Sequence, residues 1–454
     1  MVASLISSRT ASASLIGGLF VVLIFGLFSG QLILTSLILI AGLIVAIIFL
    51  YNPKWGIFLF FFIRPMMDKF GDRFAISLTE NTNFNASAIF GIMVIILLLF
   101  FLFKNRGEFK TIPLKKSWLL FLLIALLSIT ISVDKVSSIY EILRIFSIFL
   151  IFISAYVITQ KEKSAKTILN AIVFSAIIPF IFATYQLITK SGLGGTEGLD
   201  SRLFGTFSHP NPFASFVVIV LSILLYLIFQ EKNYWKKWIL GIFIAWGILI
   251  LEQTYARGAW FAFLIFLAMV TYKKSPKLLL GIIFASIALF FVSSTIQNRI
   301  QDIYNPPADS SVRWRFEQWD RVYGVFLKQP MTGYGIGNET IVHEREFGPN
   351  AGNQYTHNDF LRIAEETGIF GFLSYFILML FTLIKLINSY AKEKNPYVKD
   401  FGLFVLALFV AMFSFSLTNN TLRETVTQWT MWGIIGTFIA LYALSGNNKL
   451  ATDQ

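Results

Sequence analysis

Long apolar runs separated by short polar turns set the rhythm of this chain. Runs such as "LIGGLFVVLIFGLF", "LLLFFLF" and "FASFVVIVLSILLYLIF" approach the ~20 residues that a helix needs to cross a bilayer. The pattern predicts about fourteen spans, or twelve at the lower count, since the third is short. They fall near 14–28, 31–50, 54–64, 87–103, 117–132, 142–159, 167–188, 211–229, 236–252, 258–272, 277–294, 369–388, 402–418 and 430–445. The expected fold class is an all-α polytopic membrane protein. It has about eleven spans over 1–295, one long polar loop over 296–356, and about three spans over 357–454.

The long loop carries order of its own. In "VRWRFEQWDRVYGVF" the apolar residues Val312, Phe316, Trp319, Tyr323 and Phe326 recur at helical spacing, with Arg313, Glu317, Asp320 and Arg321 largely off that stripe. This predicts an amphipathic helix near 312–326, suited to a membrane interface or to a small cap that merely packs. "KQPMTGYGIGNE" then breaks regular structure with Pro and Gly. The next run opens unusually, with "QYTHNDFLRIAEETGIFGF". Charged groups near hydrocarbon need partners, water or a task. If this stretch is one helix, His357, Leu361, Ala364, Gly368 and Gly371 share a narrow stripe, where small residues let a helix or lipid chain approach. Asn358 and Asp359 suit a helix start. Arg362 and Glu366 form an i,i+4 pair, and with Asp359 and Glu365 they read most simply as a solvated or self-paired face.

Composition and charge refine the picture. Apolar residues make up 56% and charged residues 14%, too greasy for a soluble domain of 454 residues. The chain has no Cys, which excludes disulfides, zinc–thiolate sites and thiol nucleophiles. A net charge of +12 suggests nucleic acid at first, but the charge is concentrated in alternate short loops. "KNRGEFKTIPLKK", "QKEKSAK", "QEKNYWKK", "KKSPK" and "AKEKNPYVK" would all face the cytoplasm by the positive-inside rule. Both termini are then cytoplasmic, and the first apolar run reads as a span rather than a cleavable signal. The segments left outside are the loop near 189–210, the turn "EQTYARG" and the long loop. All three histidines (His209, His343 and His357) fall there, together with Arg202 and Arg257.

These residues carry recognisable chemistry. An imidazole such as that of His357 is the side chain best suited to taking a proton near neutral pH. Arginine stays charged and offers a planar fork for phosphate oxygens. Arg202, Arg257 and Arg144 near one leaflet suggest an anionic lipid head group, with diphosphate the best fit. Each also has an acid close by, Asp200, Glu252 and Glu141 respectively, so each is equally readable as an ion pair. The histidines lack metal-ligand spacing, so no metal and no cofactor are expected.

The order of "SRLFGTFSHPNPFASF", "TYARGAW", "KQPMTGYGIGN" and "THNDFLRIAEETGIFG" resembles the bacterial O-antigen ligase and O-antigen polymerase superfamily. The last piece fits its pattern of His, Asn, Gly and Gly at His357, Asn358, Gly368 and Gly371. The likeness covers roughly 140–390 and departs in span number, since relatives usually have about twelve. It implies an inverting, metal-independent membrane glycosyltransferase of the all-helical GT-C type, using a glycan on undecaprenyl diphosphate at the outer face of the bacterial cytoplasmic membrane. Arg202 and Arg257, with Arg144, would hold the donor diphosphate, and His357 would position or deprotonate the acceptor hydroxyl of a glycan or lipid-glycan. The donor motifs do not separate ligase from repeat-unit polymerase. A lipid-linked oligosaccharide flippase is the alternative from another class, but it predicts internal repeats and midplane charges, which the sequence does not display.

Overall fold

The computed structural model describes residues 32–68, 76–79, 82–194, 201–277, 311–348 and 355–446, with a few further positions between 279 and 297. The expected span at 14–28, and most of that at 277–294, lie outside the described residues. In chain order come α1 (Leu32–Tyr51), α2 (Pro53–Ile63), β1 (Ile76–Thr79), β2 (Thr82–Phe84), α3 (Ala86–Lys104), α4 (Lys115–Leu127), α5 (Lys135–Glu162), α6 (Lys166–Ser175) and α7 (Ile177–Thr189). Then follow α8 (Pro210–Gln230), α9 (Tyr234–Gln253), α10 (Arg257–Lys274), α11 (Ser311–Lys328), α12 (Glu339–Phe347), α13 (Asp359–Lys392), α14 (Pro396–Ser416) and α15 (Thr425–Gly446). Among the described residues, 8 helical segments are long and apolar enough to cross a membrane. The chain is an all-α, multi-pass membrane protein, with one short antiparallel hairpin pairing Ile76 with Phe84 and Thr79 with Thr82.

Polar side chains placed before the apolar runs start the helices. Asp134 Oδ1 accepts from Val136 N at 2.9 Å to open α5, and Asn395 with Pro396 opens α14, satisfying amides that a helix start leaves unpaired. The run predicted as one span at 167–188 is divided at Ala176. Pro179 follows three residues later and has no N–H to give to the preceding turn.

The centre of the bundle is α5 packed on α15. A Cβ at Gly436 would stand 2.4 Å from the Phe152 carbonyl oxygen, so glycine there sets the helix separation. Around this contact Trp118 and Trp432 meet edge-on at 4.6 Å, with Phe152 5.6 Å from Trp432. α3, α8 and α14 pack around this pair, with α10 against α14.

Two expectations for the segment from α11 to α13 change. The amphipathic helix is present as α11, but its buried face is Gln318, Val322 and Val325, whereas Phe316 and Tyr323 of the expected stripe are exposed. α11 packs through polar as well as apolar groups, which hydrophobic spacing alone does not reveal. Secondly, α13 is not continuous. Gly368 has φ 64° and ψ −169°, a conformation that breaks the helix and is open essentially to glycine alone.

Candidate functional site

The break in α13 is filled by the glycine-rich loop. Ile369 N donates to Pro330 O at 2.8 Å, Tyr334 N to Glu365 O at 3.2 Å, and Gly335 N to Glu366 O at 2.7 Å. Backbone groups freed by the break thus find partners in the inserted loop, as buried amides must. A Cβ at Gly368 would lie 2.3 Å from Met331 O, and one at Gly333 would lie 2.5 Å from Glu365 O. What approaches the small residues is therefore this loop, rather than the second helix or lipid chain expected from spacing. Gly371 has a different task, since Thr367 Oγ1 occupies the place its Cβ would take.

His357 precedes the helix and does not share a helical stripe with Gly368 and Gly371. Its φ of 51° is left-handed, a conformation uncommon outside glycine and one often found where function demands it. Both neighbours pin it there. Trp319 Nε1 donates to Thr356 O at 2.8 Å, Thr356 N donates to Glu339, and Asn358 N donates to Asn420 Oδ1 at 3.0 Å. Asn358 caps α13 as its position suggests, accepting from Phe360 N at 3.0 Å and Leu361 N at 3.1 Å. The imidazole stands edge-on to Trp314, with ring centroids 5.7 Å apart.

Behind His357 lies a buried ion network. Asp359, Arg362, Glu365 and Glu366 are all buried, so of the solvated or self-paired face expected for them only the self-pairing is found, between Arg362 and Glu366. Arg362 bonds Glu141 on α5, and its Nη2 lies 3.1 Å from Glu366 Oε2, the i,i+4 pair seen in the sequence. Glu339 lies 3.8 Å from Arg362 and 3.4 Å from Arg423, and accepts from Asn420 Nδ2 at 3.1 Å. Burial would raise the Glu339 carboxyl, but Arg423 and Arg362 outweigh it and hold it below the usual range. Asp359 receives Thr421 Oγ1 at 2.6 Å, while Glu365 turns the other way to His343 at 2.8 Å. Adjacent Glu365 and Glu366 thus point to different partners, as neighbours on a helix should.

In front of this network is a cavity of about 850 Å³. Its walls include His357, Tyr355, His209, Arg144, Arg423 and Glu424, with Arg64 and Asp68 further along. Ile92, Ile95, Leu143 and Trp429 add apolar lining. The structure therefore brings His357 and Arg144 into one chamber. Arg144 bonds Glu141, as its neighbour in sequence suggests, and its Nη1 donates to Arg423 O at 2.9 Å. Arg202 stands behind the wall, donating to Thr254 O at 2.9 Å and to the cavity residue Asn211 at 3.1 Å. Arg257 begins α10 just after that turn. Next to it, a Cβ on Gly258 would lie 3.1 Å from Thr418 Oγ1, one residue from the cavity residue Asn419.

Burial and the Arg315 guanidinium on α11 push the His357 imidazole down to about 4, with Glu339 opposing and His209 assisting. His209 is also pushed down to about 4, by burial and then by Arg202 and Arg315. Its Nδ1 accepts from Asn211 N at 3.2 Å, capping α8, and that bond requires an unprotonated Nδ1. Burial pushes the Glu424 carboxyl up to about 8, and it accepts from Ser215 Oγ at 2.7 Å. At pH 7 both imidazoles are neutral.

Sequence reasoning missed Arg315, Arg423, Glu424 and Arg64. Arg423 carries the signal that singled out Arg202 and Arg257, an arginine in a loop on the side opposite the basic turns. Among the described residues, no group of three or more His, Asp or Glu is placed to hold a metal ion.

Residues 242–376 match the family model described as O-antigen ligase. Over these residues the chain is similar to the O-antigen ligase family, a match that supports the O-antigen ligase and polymerase superfamily. The O-antigen ligase match spans Arg257, Arg315, His357, Asn358, Gly368 and Gly371, and leaves Arg144, Arg202 and Arg423 outside. A comparison with curated proteins found no match. The match suggests a glycosyltransferase-like membrane enzyme.

Proposed function

We propose that this protein transfers a glycan from undecaprenyl diphosphate to an acceptor hydroxyl, at the outer face of the cytoplasmic membrane and in the manner of an O-antigen ligase. The observation that carries the proposal is the single cavity in which His357 shares its walls with Arg144 and Arg423. Arg144 and Arg423 meet the donor diphosphate, while Arg202 and Arg257 add positive potential from behind Asn211 and Asn419. The apolar lining of the same chamber suits the first part of a polyprenyl chain.

In this reading His357 takes the proton of the acceptor hydroxyl. The oxygen attacks the anomeric carbon from the face opposite the diphosphate, and the bond to the diphosphate oxygen breaks. Undecaprenyl diphosphate leaves with the bonding electrons, so the anomeric configuration inverts. The leaving group needs no proton, and fixed guanidinium groups stabilise the charge that develops on it, without a metal. A histidine near 4 is a weak base in the empty site. A bound diphosphate offsets the field of Arg315 and raises His357 towards the working pH, where general bases are most effective. Donor binding thereby arms the base.

The test is transfer by purified protein in nanodiscs with EDTA present, followed by assignment of the product's anomeric configuration. Transfer with inversion is expected, and the acceptor that becomes glycosylated separates ligase from polymerase. Retention, or glycolipid translocation in liposomes with no transfer to any acceptor, would contradict the proposal.

A further inference from the structure

The cavity has a second polar region that the transfer chemistry above leaves unused. Arg64, in the turn that ends α2, is buried and pairs with Asp68, Nη1 to Oδ1 at 2.5 Å. Both line the chamber, next to Asn85 and Ser87 at the start of α3. The turn is held in place, since Thr206 Oγ1 donates to Pro65 O at 2.7 Å, tying it to the loop that carries His209. An arginine at the membrane end of a helix is readily explained by the head groups around it. Arg64 is instead turned inward, with its own counter-charge, into the space where substrates meet.

We infer that Arg64 and Asp68 form a subsite for the hydroxyl groups of the donor's sugar, the residue attached to the diphosphate. The inference rests on the glycosyltransferase reading. The pair offers an acceptor and a donor side by side. Its carboxylate accepts from hydroxyls and its guanidinium donates to hydroxyl or ring oxygens, a set suited to sugars.

Placement selects the donor over the acceptor. The acceptor hydroxyl must touch His357, so it belongs to the wall made by Tyr355 and His357, which the diphosphate arginine Arg423 borders, its guanidinium 5.1 Å from the Tyr355 ring centre. α5 connects that wall to the other one. It bonds Arg423 through Arg144 on one side and packs against α3 on the other. A sugar whose diphosphate rests at Arg144 extends towards Arg64 and Asp68, leaving its anomeric carbon open to attack from the His357 side.

The experiment compares wild type with Asp68→Asn in nanodiscs. It measures binding of undecaprenyl diphosphate, binding of the glycan-bearing donor lipid extracted from the source cells, and KM for donor and acceptor. The glycan-bearing donor should bind roughly tenfold more weakly to D68N, as expected for one lost hydrogen bond to a charged group. Donor KM should rise in step, with undecaprenyl diphosphate binding and acceptor KM unchanged. Should D68N not fold, Arg64→Lys, which keeps the charge and loses the fork, should show the same pattern to a smaller degree. Equal loss for both lipids, a rise in acceptor KM alone, or no change would overturn the inference. Wild type that binds neither lipid would instead overturn the glycosyltransferase reading.

Discussion

Arg362 and Arg423 share the acids Glu339 and Glu366 but occupy opposite faces of the network. Arg362 has no exposed side-chain surface and ties α13 to α5 through Glu141. Arg423 keeps 20% of its side chain exposed and lines the cavity. The same ion pairs therefore do two kinds of work. Behind the wall they fix the N-terminal part of α13 against the bundle, and at the wall they present a guanidinium to the cavity. Buried ion pairs are a poor source of net stability, but they are costly to break singly, because the partner charge is left without compensation.

Replacing Arg362 should therefore do the most damage. Arg362→Met removes the buried guanidinium that Glu141 and Glu366 share and leaves them only Arg144 and the more distant Arg423. The loss is about 3–5 kcal/mol for such a broken pair, and folded yield in detergent should fall sharply. Gly368→Ala should come next. The ~1–3 kcal/mol strain of that backbone conformation adds to the clash with Met331 O, so thermal stability and activity should fall together as the loop is expelled. Arg423→Gln should separate the two roles, keeping the fold but lowering turnover by roughly 10²-fold, as for a lost donor to developing charge. A fold as damaged as that of R362M would erase the contrast between the two arginines.

The smallest effect is on pH dependence. His357 must be neutral to accept a proton, and in the donor-free enzyme its acid form is disfavoured down to about 4. The kcat/KM for the donor, which reports the free enzyme, should therefore hold as pH falls and be lost only near that value. Arg315→Gln removes a like charge, which raises the imidazole, so the acid limb should move to higher pH. An unmoved limb would mean that Arg315 does not govern His357.

Much of this was legible before any coordinates. The placement of eight of the expected spans followed from hydropathy, and His357 with Asn358 stood out because polar residues at the start of a greasy run need a reason. What stayed hidden depends on tertiary context. A pair such as Arg362 and Glu366 has the same spacing on a wet helix face as in a buried network, and only the arrival of Glu141 from 221 residues away decides between them. Gly368 carries the same residue type whether it packs a helix or breaks one, and the loop that occupies the break lies over thirty positions earlier. Arg64 and Arg423 belong to turns in no quoted motif, and only the fold brings them to the cavity that holds His357.

The central claim is that His357 is the base of a glycan transfer. Its most direct test is release of undecaprenyl diphosphate by purified wild type and His357→Ala, supplied with lipid-linked glycan and acceptor. The account predicts coupled release and transfer by wild type, and near-complete loss of both in H357A with donor binding retained. Transfer by H357A at the wild-type rate would contradict it.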